Sequence, residues 1–269
     1  MIIADVVAIV TGGARGLGKA FSTELLKQGA RVCLVDINEA EGRTTESTLQ
    51  QQFGRDKTFF MKCDVTSEAE IKDVWKRAVD KFQRVNLMVN NAGIMNENLF
   101  AKTMEINAIA PMRGTLLAFD NMRKDRGGHG GLIINVASTA GLFPVFFMPT
   151  YTASKYAIVG FTRSWAMNPR QSEYGVSFAV LCPAFTDTAM MSSAFDTESP
   201  STVTENKELV RSLIDKVGIN TYGVESTLID DVARAFVELV EKEDNNGAVV
   251  TVDSKLGTVY RFTQHPYKL

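Results

Sequence analysis

Histidine and cysteine are scarce in this chain. Two histidines, His129 and His265, stand among 269 residues, which argues against a histidine-rich metal site, and no metal is expected. Three cysteines, Cys33, Cys63 and Cys182, lie in apolar contexts with no CxxC pair. They read as small buried hydrophobes in a reducing compartment. Excess charge is lacking too: the formal net charge is −2, with no run of one sign, so no long-range attraction draws nucleic acid or a membrane surface. No apolar run approaches the ~20 residues that span a bilayer. The apolar start, residues 1–10, has neither a basic segment nor a small-residue cleavage site and reads as a buried strand, not a signal peptide. A cytoplasmic protein without membrane insertion is expected.

What is present is apolar and regularly arranged. Hydrophobic residues make up 45% of the chain, enough for a sizeable core. Seven β-branched or apolar runs, at 6–10, 31–35, 58–62, 87–90, 132–136, 176–181 and 248–252, alternate with helical patterns. The clearest helix places Ile71, Val74, Trp75, Ala78, Val79 and Phe82 on one face behind the capping residues Thr66-Ser67-Glu68. Such alternation predicts an α/β fold, a seven-stranded parallel sheet with helices on both faces. No proline-rich or glycine/serine-rich linker interrupts it, so residues 1–269 are read as a single domain. Residues 186–223 break the rhythm and are read as a substrate lid carrying Met190, Met191 and Phe195.

The first strand runs into Thr11-Gly12-Gly13-Ala14-Arg15-Gly16-Leu17-Gly18, with a helix after it. Glycines permit close backbone approach to a phosphate at a helix N-terminus, so a dinucleotide is expected on Gly12, Arg15, Gly16, Leu17 and Gly18. The second strand ends at Asp36-Ile37, 18 residues beyond Gly18. A carboxylate there accepts from the adenosine ribose hydroxyls and repels a 2′-phosphate. Arg15 is the one neighbour that would attract that phosphate; Asp36 at the strand tip decides the reading for NAD. Asp64-Val65 follows the third strand, and Asp64 either meets the adenine amino group or caps the next helix. The fourth strand delivers Asn90-Asn91-Ala92-Gly93, with Asn90 structural and Asn91, Ala92 and Gly93 against the cofactor.

Tyr151 and Lys155 are spaced i, i+4 and share a helical face. A free tyrosine, with a pKa of about 10, is a poor base at neutral pH; a neighbouring ammonium favours the phenolate. Ser138 lies thirteen residues upstream at the end of the fifth strand, where its hydroxyl can hold a substrate oxygen or cap a turn. Pro111 has no N–H for the carbonyl of Asn107 four residues earlier, which frees that carbonyl for a water or kinks the helix.

Thr11-Gly12-x-x-x-Gly16-x-Gly18, Asn90-Asn91-Ala92-Gly93, Asn107, Ser138 and Tyr151-x-x-x-Lys155 occur in this order. By these marks the chain resembles the short-chain dehydrogenase/reductase family over nearly its full length. Within that family it is most similar to the NAD-dependent 15-hydroxyprostaglandin dehydrogenase group and the insect-type alcohol dehydrogenases. The resemblance implies a Rossmann fold and a catalytic set of Asn107, Ser138, Tyr151 and Lys155. In it Tyr151 is the general acid/base, Lys155 lowers its pKa and holds the nicotinamide ribose, Ser138 stabilises the substrate oxygen, and Asn107 binds a water in a proton relay. It also implies cofactor contacts from Pro183, Phe185, Thr186 and Thr188, and a homodimer or homotetramer. Ala184 stands where the family usually has glycine, and Pro169 predicts that the helix carrying Tyr151 ends or kinks near Asn168.

The stretch from Thr139 to Pro149 is mostly apolar, and Ala140, Phe146 and Met190 join Ser138 and Tyr151 as candidate substrate contacts. The expected substrate is an apolar secondary alcohol or its ketone, lipid-, isoprenoid- or steroid-like. One competing reading is an NAD-binding carrier or storage-type relative with little catalysis; the intact set of four argues against it. The other is an epimerase or dehydratase; only about 17 residues follow the seventh strand, too few for a larger substrate domain. The segment from Lys255 onward is expected to pack across a neighbouring subunit.

Overall fold

β-branched strands buried on both faces, separated by amphipathic helices, build one sheet. The computed structural model describes residues 1–184, 186 and 228–262. In chain order these hold β1 (Val7–Thr11), α1 (Gly16–Lys27), β2 (Arg31–Asp36), α2 (Glu39–Phe53), β3 (Thr58–Lys62), α3 (Glu68–Phe82) and β4 (Leu87–Asn90). There follow α4 (Phe100–Met104), a π turn (Glu105–Ile109), α5 (Ala110–Met122), β5 (Gly131–Val136), α6 (Pro149–Ala166), α7 (Gln171–Tyr174) and β6 (Val176–Pro183). Helix α8 (Ile229–Glu241), β7 (Ala248–Asp253) and β8 (Gly257–Phe262) complete the described elements. No helix among the described residues is long and apolar enough to cross a membrane.

The strand order is β3-β2-β1-β4-β5-β6-β7-β8. The first seven are parallel, as the sequence predicts, with ends shifted by one or two residues. The eighth is a correction. Part of the segment expected to pack across a neighbouring subunit turns back, as far as residue 262, to pair antiparallel with β7 and add a strand the sequence reading did not foresee. Asp253 Oδ1 accepts from the N–H groups of Lys255 and Leu256 and closes the turn, and a short edge hairpin of this kind gives little periodic signal in the sequence.

Alternation along β1 serves two cores. Ala8 and Val10 face Phe21, Leu25 and Phe236 from α1 and α8, while Val7 and Ile9 face Trp75 and Phe82 from α3, Phe119 from α5 and Phe178. Helix α3 forms as its periodicity predicts, capped by Ser67, whose Oγ accepts from Glu70 N at 3.3 Å. Phe21 and Phe236 stack with centroids 4.4 Å apart at the α1–α8 seam. Phe21 is fully buried, so Phe21→Ala is expected to cost about 3–5 kcal/mol in urea unfolding; a loss under about 1 kcal/mol would mean that this seam is not packed in solution.

Two prolines shape the helices around the site. Before Pro111 the helix widens into the π turn, with Ala110 N–H reaching Glu105 O. Proline offers no donor to the Asn107 carbonyl and its ring crowds that position, and a π turn relieves the crowding. Helix α6 stops at Ala166, just ahead of Pro169. Strands are added outward in one direction from β1 to β3 and in the other from β4 onward, so the crevice beyond the carboxyl ends of β1 and β4 falls at the switch in strand order.

Candidate active site

A cavity of about 650 Å³ follows the carboxyl ends of the strands. Gly12, Arg15, Gly16 and Leu17 wall one end of it. Gly12 and Gly16 have φ of +65° and +53°, a left-handed backbone that glycine adopts without strain. Gly18 does not line the cavity. A Cβ there would stand 2.1 Å from Gly12 O, so glycine at 18 is required for close packing beneath the loop. Thr45 Oγ1 donates to Ala14 O at 2.7 Å and pins the loop from α2. No side chain caps the first turn of α1, so its orphan N–H groups and positive dipole end suit an anion such as a phosphate.

Asp36 and Ile37 stand at the tip of β2 on the cavity wall. The Asp36 carboxylate accepts from Ala14 N at 3.1 Å and Asn38 N at 3.0 Å, which fixes its direction and leaves lone pairs for a ligand. Arg15 lies 3.6 Å from Glu41, an exposed ion pair. Asp64 and Val65 also line the cavity. Asp64 Oδ1 accepts from Thr66 N and Oγ1; the cap of α3 is Ser67, so the capping alternative for Asp64 does not hold.

Asn91, Ala92 and Gly93 form the floor. Thr11 Oγ1 accepts from Asn91 N and Ala92 N, and Asn91 Nδ2 donates to Thr11 O, which ties β1 to β4 across the switch. Asn90 is structural as expected, its Nδ2 donating to Asn135 Oδ1 at 2.8 Å. A Cβ on Gly93 would fall 3.3 Å from Asn107 Oδ1 and 3.7 Å from Lys155 Nζ, so glycine keeps open the point where those groups converge.

Tyr151, Lys155 and Ser138 meet on the cavity wall. Tyr151 and Lys155 share one face of α6, and Lys155 Nζ donates to Val136 O at 3.1 Å and sits 5.5 Å from the Tyr151 ring centroid. Ser138 Oγ accepts from Ala140 N, so Ser138 both caps a short 3₁₀ turn and faces the cavity. Asn107 is buried in the π turn. Its side chain is held at both ends: Nδ2 donates to Ile94 O at 2.8 Å and Ser154 Oγ at 3.2 Å, and Oδ1 accepts from Ile94 N at 2.9 Å.

Electrostatics depart from the expectation that Lys155 depresses the tyrosine. Burial pushes the Tyr151 phenol up to about 12, with the Ser138 hydroxyl opposing. Burial likewise draws the Lys155 ammonium down to about 8. In the protein alone desolvation moves each group toward its neutral form. Burial also holds the thiols of Cys33, Cys63 and Cys182 above their ordinary range, consistent with packing roles.

Much of the remaining lining is apolar. Ile94, Met95, Ala140, Phe143, Val145 and Met148 lie in it beside Pro144. Phe146 is not among them: it stands at the corner of the turn closed by Met148 N→Val145 O, half exposed, with its ring edge-on to Phe147. Phe143 and Met148, its neighbours in the same run, border the cavity. Pro183, Ala184 and Thr186 close the far side. Ala184 N donates to Val252 O at 2.8 Å, and its backbone is not left-handed, so alanine fits where glycine was expected. Phe185, Thr188, Met190 and the lid from 187 to 223 lie outside the described residues. Ile94 and Met95 escaped the sequence reading, and adjacency to Gly93 was their only signal. Glu97 escaped it as well: its carboxylate accepts from Thr150 N and Tyr151 N, both at 2.8 Å.

A crevice at the switch point with Ser138, Tyr151 and Lys155 on one wall is matched by the family comparison: the model for short chain dehydrogenases covers residues 6–199, and the chain belongs to this family. It is 40% identical to the NAD(+) 15-hydroxyprostaglandin dehydrogenase of Homo sapiens over 251 residues, 93% of this chain and 92% of that protein. It is 32% identical to alcohol dehydrogenase 1 of Ceratitis cosyra over 192 residues, covering 71% and 74%. The fold is shared with levodione reductase, with a TM-score of 0.78 at 24% identity over 94% of this chain and 97% of that one. A short chain dehydrogenase/reductase from Burkholderia phymatum, solved in complex with NAD, gives a TM-score of 0.76 at 23% identity, covering 93% and 90%.

Proposed function

We propose that this chain is an NAD-dependent oxidoreductase that interconverts an apolar secondary alcohol and its ketone. The observation that carries this reading is a single cavity joining the uncapped N-terminus of α1 and Asp36 at one end to Ser138, Tyr151 and Lys155 at the other. Its residues suit a dinucleotide: the α1 amides for the pyrophosphate, the Asp36 carboxylate for the adenosine ribose, and Lys155 for the nicotinamide ribose. Bound there, the cofactor supplies the hydride acceptor or donor. The rest falls to the chain. The Ser138 hydroxyl and the Tyr151 phenol hold the substrate oxygen, and Tyr151 takes the alcohol proton or returns it to the ketone oxygen. Lys155 spends one N–H on Val136 O and keeps two for the ribose and the proton path. With both Asn107 Nδ2 hydrogens engaged by the protein, its main-chain carbonyl, to which Pro111 offers no donor, is the group that would hold a relay water.

The apolar wall from Ile94 to Met148 favours a lipid-, isoprenoid- or steroid-like substrate. The residues 1–269 act as a single catalytic domain with a lid at about 186–223. Ile109 and Leu116, exposed on the π turn and α5, support a homodimer or homotetramer. Three buried thiols without a disulfide suit the cytoplasm. The test incubates the protein with NAD or NADP and a panel of apolar secondary alcohols and follows absorbance of the reduced nicotinamide. Reduction of NAD is expected; none with any alcohol, and no reverse reaction with ketones, would favour a carrier.

Cofactor choice rests on Asp36, whose charge repels a 2′-phosphate, while Glu41 engages the guanidinium of Arg15. Asp36→Ala is expected to raise kcat/KM for NADP about tenfold, roughly the 1.4 kcal/mol of one lost charge repulsion. A wild-type protein that already prefers NADP would contradict the assignment.

A further inference from the structure

Helix α6 carries the Tyr151–Lys155 pair, yet it begins without a cap of its own. Met148 at its N-cap makes no side-chain bond, and Pro149 follows it. Thr152 N–H returns to Met148 O at 2.9 Å as the first internal hydrogen bond. The N–H groups of Thr150 and Tyr151 therefore have no partner within the helix. Both are taken by one carboxylate from another part of the chain: Glu97 Oε2 accepts from Thr150 N and Glu97 Oε1 from Tyr151 N, each at 2.8 Å. Bonds of this length to an ionised acceptor at a helix N-terminus are among the stronger ones available to a backbone amide.

Glu97 stands on the segment that leaves β4 and lines the cavity through Gly93, Ile94 and Met95. That segment is held at a second point by Asn107, whose side chain brackets Ile94 and reaches Ser154 Oγ, which in turn donates to Tyr151 O at 2.6 Å. The backbone N–H of Tyr151 is thus fixed by Glu97 and its carbonyl by Ser154. Both anchors lead to the same cavity-lining segment.

We infer that Glu97 is a positioning residue for the reaction, an N-cap supplied from a distant segment that sets where the Tyr151 phenol stands relative to Ser138 and the substrate wall. This rests on the proposed role of Tyr151 as acid/base. A small displacement of a catalytic group costs rate far more than it costs binding, so the inference separates from a purely stabilising cap.

The test compares Glu97→Ala and Glu97→Gln with wild type in three readouts: kcat and KM for an apolar secondary alcohol, the dissociation constant for NAD, and backbone hydrogen exchange over residues 148–155. Alanine is expected to lower kcat at least tenfold, to change NAD affinity less than twofold and to speed exchange in this segment. Glutamine keeps one acceptor and is expected to recover part of the lost kcat. Unchanged kcat in both variants, with only the melting temperature lowered, would overturn the inference, as would unchanged exchange at Thr150 and Tyr151. If alanine does not fold, glutamine alone decides between these results. A wild-type protein that turns over no alcohol would instead defeat the proposed function, and the exchange rates would still report whether Glu97 holds the helix.

Discussion

Replacing Tyr151 by Phe is expected to lower the rate of alcohol oxidation about 10²- to 10⁴-fold, the usual worth of a positioned general acid/base, while NAD affinity stays nearly intact. The side chain is buried, and the substitution removes only the phenolic oxygen, so the ring keeps its packing on α6. No described group nearby can replace it: the Ser138 hydroxyl is a far weaker base, and Lys155 is turned toward Val136 O. Steady-state rates together with a titration of NAD check both halves. Retained turnover would refute the role given to Tyr151, and lost NAD binding would show that the change had damaged the site.

Lys155→Met is expected to lose at least about 10²-fold in turnover and at the same time to make the protein more stable near neutral pH. Burial draws the Lys155 ammonium from 10.5 down to about 8. Below pH 8 both the folded and the unfolded chain hold the proton, and the fold carries the whole cost of burying the charge. Between about pH 8 and 10.5 the unfolded chain holds more protons than the folded one, so stability rises with pH through that window, and above it the cost is gone. At about 1.4 kcal/mol per pH unit the cost is on the order of 3 kcal/mol. Methionine fills a similar volume without the charge and should raise the melting temperature by several degrees at neutral pH, with the gain fading above about pH 10. A variant less stable than wild type at pH 7 would show that the Val136 contact outweighs desolvation.

These expectations mark where sequence and structure part company. Gly12, Gly16, Asp36, Asn91, Gly93, Ser138 and the Tyr151–Lys155 pair were legible because each sits at a strand end or on one helical turn, where local geometry dictates residue type. Gly18 was legible as a required glycine but not as a packing one, since only the fold brings it against Gly12 O. The pKa of Tyr151 depends on how much of α6 is buried, which spacing does not encode. Glu97 meets Tyr151 across 54 positions, and a single glutamate on a loop carries no pattern. Phe143 and Phe146 belong to one apolar run and are both exposed, and only the turn between them decides that Phe143 borders the cavity. The hairpin to β8 was hidden by its polar edge character, with Thr258 and Arg261 among its six residues.

The central claim is that a hydride leaves an alcohol carbon in this cavity while Tyr151 takes the hydroxyl proton. An apolar secondary alcohol carrying deuterium on its carbinol carbon, incubated with NAD and the wild-type protein, tests it most directly by mass analysis of the reduced nucleotide. The account predicts one deuterium on each reduced nicotinamide formed, one ketone per nucleotide, and no such product with Tyr151→Phe. Reduced nucleotide without deuterium, or no reduction with any alcohol in the panel, would contradict it.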